Sequence, residues 1–73
     1  MANAIQEQFA EILLETIGRD PQPSSTHMDI FESIAPPQLQ VQYALLLMQK
    51  IENDPHPSIP MMLRLRQVVG AFG

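Results

Sequence analysis

The 73-residue chain has no cysteine and no tryptophan, and it has only three glycines, one tyrosine and four basic residues. Without thiols there is no disulfide framework, no thiolate metal site and no cysteine nucleophile. Gly18, Gly70 and Gly73 stand apart in the sequence, so no glycine-rich loop exists to cradle a phosphate. The four basic residues face eight acidic ones, for a net charge of −4. Phosphate affinity comes from Lys and Arg displacing counterions, so nucleic acid is not an expected partner. No apolar run approaches the roughly 18 residues of a membrane span. The start, Met1 to Glu7, lacks the basic segment that opens a secretory signal, so the expected location is the cytoplasm.

What is present is a 45% hydrophobic share with 16% charge, the balance of a folded chain, and seven prolines that interrupt it. A chain of this length buries only about 60% of its unfolded surface, and its own core supplies roughly 3–5 kcal/mol. Disulfides being excluded, a partner chain is the expected source of further stability. Charge is uneven: residues 1–36 carry six acids against Arg19, a balance of −5, whereas residues 37–73 carry two acids against Lys50, Arg64 and Arg66, a balance of +1.

Hydrophobic periodicity predicts four helical segments in one domain spanning 1–73, a small all-α bundle of three to four helices with proline-rich connections. The first runs from about Ala4 to Ile17, with Asn3 as N-cap, Gln6 completing a capping box and Gly18 as the left-handed C-cap. Its apolar stripe is Ile5, Phe9, Ile12, Leu13 and Ile17, and Glu7, Glu11 and Glu15 line another face. After the break at Pro21 and Pro23, a short helix is expected from His27 to about Glu32, with Thr26 as N-cap and Asp29 at its third position. Pro36 and Pro37 open a long third helix that ends near Asn53. Ser58 caps a fourth helix, with Pro60 in its first turn, reaching about Val69.

The third helix is the most informative. Projected at about 100° per residue, Gln38, Gln42, Gln49 and Asn53 share a narrow strip. Val41, Ala44, Leu45, Leu47, Met48 and Ile51 form the main apolar arc, and Leu39, Tyr43 and Leu46 form a second one. Together the arcs cover about 260°, against the 100° or so that a surface helix buries. Either helices one, two and four wrap this helix completely, or Leu39, Tyr43 and Leu46 stay open as a self-association or partner surface; the second is the preferred expectation. Tyrosine suits such a place, since its ring is buried while its hydroxyl stays wet. On the fourth helix Leu63 lies away from the core stripe of Met61, Leu65, Val68 and Phe72, and Arg64 and Arg66 border that stripe, adding to a docking face.

No constellation carries catalytic or metal chemistry. His27 and His56 sit in separate breaks without ligand spacing. The Glu7/Glu11/Glu15 ridge has no accompanying Glu-x-x-His. No serine lies in a nucleophile elbow or beside a histidine base. The last helix presents its polar residues on two faces, so it does not serve as a recognition helix.

Length, acidity, a first helix followed by a long loop, a long major helix and a closing helix together resemble an acyl or peptidyl carrier domain. Glu32-Ser33-Ile34 is similar to the Asp-Ser-Leu motif whose serine carries phosphopantetheine in that family. Here Glu replaces Asp, and Pro36-Pro37 follow where the family's recognition helix runs. The resemblance implies a prosthetic arm on Ser33. The residues read by themselves lead elsewhere, to a non-enzymatic protein-interaction module. It acts as an adaptor, regulator or docking domain with no catalytic residue, cofactor, metal or small-molecule substrate. Its expected partner is a protein, with a second copy of the chain in a homodimer as the leading case, held through Leu39, Tyr43, Leu46, Leu63, Arg64 and Arg66.

Overall fold

Prolines mark each of the three breaks between the helices of this chain. The computed structural model describes residues 3–72; Gly73, one of the three isolated glycines, lies outside them. Four helices follow in order: α1 (Ala4–Arg19), α2 (Ser25–Ile34), α3 (Pro37–Asn53) and α4 (Ile59–Gly70), with no strand among the described residues. The all-α class expected from the periodicity is the one found.

At the start of α1 the Asn3 side chain accepts from the Gln6 amide at 2.7 Å and its carbonyl from the Glu7 amide at 2.9 Å. The helix ends differently from expectation. No described glycine has a positive φ, and α1 continues through Gly18 to an extended Asp20. Pro21 is the cause, since a residue before proline is pushed out of the helical region. The α2 cap is Ser24, not Thr26: its hydroxyl accepts from the Thr26 and His27 amides at 3.2 and 3.4 Å. Ser24 is the first residue past Pro23, and capping there starts α2 before the expected His27. Ala35 is extended because Pro36 follows it. Pro37 then opens α3, while Leu39 and Gln40 donate to the Pro36 carbonyl at 3.0 Å each. Ser58 caps α4 as expected, accepting from the Met61 amide at 3.2 Å.

The α1–α2 and α3–α4 connections are built alike. In the first, Asp20 accepts from the Gln22 amide at 2.9 Å and Ser24 caps the next helix. In the second, Asp54 accepts from the His56 amide at 2.9 Å and Ser58 caps the next helix. Each is an Asx turn locked between prolines, followed by a serine cap.

The chain divides into two compact units, Met1–Gln40 and Val41–Gly73. In the first, α1 packs on α2. Its buried hydrophobics are Ala10, Leu13 and Ile17 of α1, Met28 and Phe31 of α2, and Leu39. Two glutamines finish that unit. A helix end leaves its last carbonyls without intrahelical partners. The Gln6 amide donates to the Ile34 carbonyl at 3.2 Å, and the Gln40 amide donates to those of Glu32 and Ala35 at 3.1 and 3.4 Å. Gln6 therefore ties the first turn of α1 to the end of α2. In the second unit the buried hydrophobics are Tyr43, Ala44, Leu47 and Val68.

Candidate functional site: the open apolar helix faces

On α3 the buried and open arcs are partly exchanged relative to expectation: Ala44 and Leu47 of the main arc are buried as expected and Ile51 is half-buried, but Leu39 and Tyr43 of the second arc are buried as well. Leu39, Tyr43 and Leu47 follow one another at four-residue spacing and are buried, Tyr43 completely. Leu46, beside them on the wheel, is half-buried. Val41, Leu45 and Met48, expected in the core, are exposed, Leu45 at 58%. Two causes account for the exchange. An amphipathic helix hides one stripe, and the stripe holding the only tyrosine removes the most apolar area from water. Gln40, adjacent to Leu39, is also bonded to the end of α2, which fixes which side of the first turn faces inward. Leu39 and Tyr43 are thus core residues and do not form an open surface.

The remaining expected contacts are divided. Leu63 and Arg66 are exposed on α4, and Arg64 is half-buried. Of the α4 stripe only Val68 is buried; Met61 and Leu65 are half-buried and Phe72 is exposed.

The apolar stripe of α1 is only partly buried. Ala10, Leu13 and Ile17 are buried, whereas Ile5, Phe9 and Ile12 are open to solvent. At about 100° per residue the open three fall within roughly 60°, beside the buried arc rather than opposite it. The stripe of α1 is wider than one packed helix covers, and its outer edge stays wet. Two helices therefore carry open apolar triads at the same spacing, residues 5, 9 and 12 on α1 and residues 41, 45 and 48 on α3. Spacing of i, i+4 and i+7 is that of the anchors with which a helix enters a partner's groove.

Polar chemistry is sparse. No group of three or more His, Cys, Asp or Glu able to hold a metal exists among the described residues, and none of their helices is long and apolar enough to cross a membrane. Glu15 and Arg19 form an exposed ion pair at 3.6 Å. Ser33 lies in the last turn of α2, where its hydroxyl donates to the Ile30 carbonyl at 2.7 Å. No family model, curated protein or solved structure matches this chain.

The missed signal was relative, not absolute. Ile5, Phe9 and Ile12 continue the stripe of Leu13 and Ile17, and periodicity alone does not separate them from it. Only the width of that stripe, set against a single short partner helix, marks its outer edge as surplus.

Proposed function

We propose that this chain is a non-catalytic protein-interaction module that self-associates through open apolar helix faces, with Ile5, Phe9 and Ile12 of α1 as its principal anchors. The observation that carries the reading is the exposure of that triad, with Ile5 at 78% and Ile12 at 61%. Scattered surface hydrophobics are ordinary, but a contiguous apolar stripe at anchor spacing marks an interaction surface. Burying it in a partner supplies the stability that a chain without disulfides needs. Light scattering across a concentration series tests this. The expected result is a mass above that of one chain at tens of micromolar protein, reduced to one chain by Phe9→Asp with helicity retained. A single-chain mass at every concentration, or an unchanged mass in Phe9→Asp, overturns it.

A further inference from the structure

The two similar connections belong to a longer internal repeat. Offsetting the sequence by 34 residues aligns residues 3–36 with 37–70 and Asp20-Pro21-Gln22-Pro23-Ser24 with Asp54-Pro55-His56-Pro57-Ser58. Besides the Asp, both prolines and the Ser, identical residues pair at Gln6/Gln40, Gln8/Gln42, Ala10/Ala44, Leu13/Leu47, Ile17/Ile51 and Met28/Met62. Apolar character is also kept at Ile5/Leu39, Phe9/Tyr43 and Ile12/Leu46. The α1–α2 and α3–α4 segments are two copies of one helix–turn–helix unit. Ala10 and Ala44 are both buried, as are Leu13 and Leu47.

Burial differs between the repeats at their outer positions. Leu39 and Tyr43 are exposed at 7% and 0%, whereas their counterparts Ile5 and Phe9 are exposed at 78% and 47%. In the other direction Met28 is buried and its counterpart Met62 is exposed. Ala35 is half-buried and its counterpart Val69 is exposed. The first repeat thus leaves open the side of its first helix that the second repeat buries. The second repeat leaves open the side of its second helix that the first buries. In stacked repeat proteins each unit buries its faces only against neighbours, and the outermost faces need a polar cap. Among the described residues the two outer faces are apolar, with Ile5 and Phe9 on one and Met62 and Val69 on the other.

Resting on the self-association proposed above, we infer that copies of this chain stack head to tail. The Ile5/Phe9/Ile12 face of one copy docks on the Met62/Val69/Phe72 face of the next. Within the first unit the opening turn of α3 already lies on the end of α2: Leu39 is buried there, and the Gln40 amide donates to the carbonyls of Glu32 and Ala35. Charge favours the same pairing, since the acidic half of one copy (−5) meets the half of the next that carries Arg64 and Arg66 (+1). Such a contact is heterologous, so each copy keeps one unused end and the assembly does not stop at two chains.

The test blocks one end at a time, using exposed positions so that folding is spared. Phe9→Asp blocks the α1 end and Val69→Asp the α4 end. Ile12→Asp and Met62→Asp replace either variant whose helicity is lost. The wild-type mass is expected to pass two chains as concentration rises, each variant alone to remain a single chain, and their equimolar mixture to form a dimer. A mixture that stays single-chain while the wild type associates means that like faces meet, which overturns the stacking but leaves self-association standing. A wild type that is a single chain throughout overturns both.

Discussion

The side-chain amide of Gln40 donates to the Glu32 carbonyl at 3.1 Å, joining the first turn of α3 to the last turn of α2. With Gln6 on Ile34, it replaces the intrahelical partners that the end of α2 lacks. Gln40→Ala removes both of its bonds and is expected to cost about 1–2 kcal/mol, taking each at about 1 kcal/mol. Chemical denaturation measures this; a change below about 0.3 kcal/mol contradicts the role.

The serine caps are separable from their neighbours. Ser24→Ala and Ser58→Ala are each expected to lower stability by about 1 kcal/mol, the usual cost of losing an N-cap. Thr26→Ala removes no cap and leaves stability nearly unchanged. Thermal melts of the three variants decide between Ser24 and Thr26, at about 4–8 °C per kcal/mol for a chain of this size.

Gly70 closes α4 without a positive φ, and a Cβ built there meets nothing within 4 Å. Gly70→Ala is therefore expected to stabilise the chain by about 0.4–1 kcal/mol, mainly by restricting the unfolded state. A destabilised variant in the same melt contradicts this.

The partial exchange of arcs on α3 makes opposite predictions for neighbours. Tyr43→Ala empties a fully buried site and is expected to cost about 3–5 kcal/mol, as much as the whole core supplies, so it unfolds the chain. Leu45→Gln, on the open side, is expected to change stability by no more than about 0.5 kcal/mol. Far-ultraviolet circular dichroism at low concentration distinguishes them.

Ser33 tests the carrier resemblance. Its hydroxyl already donates within α2, and Pro36 and Pro37 break the chain just beyond it. Intact mass after incubation with coenzyme A and a phosphopantetheinyl transferase is expected to be unchanged. Addition on Ser33 contradicts the interaction reading.

Much of the fold was legible in the residues. The helices are spaced by prolines whose effect on the preceding residue is local, and Asn3 and Ser58 cap where their side chains predict. Gly18 misled because a glycine near a helix end reads as a left-handed cap, while Pro21 had already set the stop. Thr26 misled because Ser24 offers the same hydroxyl closer to Pro23. The side of α3 that is buried was not legible, since Leu39/Tyr43 and Val41/Leu45 are both apolar and periodicity ranks neither. That choice depends on tertiary partners, including the Gln40 bonds, which no helical wheel contains. The repeat was present in the sequence, carried by Asp-Pro-x-Pro-Ser at a fixed offset.

The most direct measurement is methyl NMR with a soluble paramagnetic probe, recorded on dilute and concentrated protein. In the dilute sample the Ile5 and Ile12 methyls are expected to be broadened by the probe while those of Leu39 and Leu47 stay sharp. On concentration, Ile5 and Ile12 are expected to become protected. Broadened Leu39, or Ile5 and Ile12 equally broadened at both concentrations, contradicts the account.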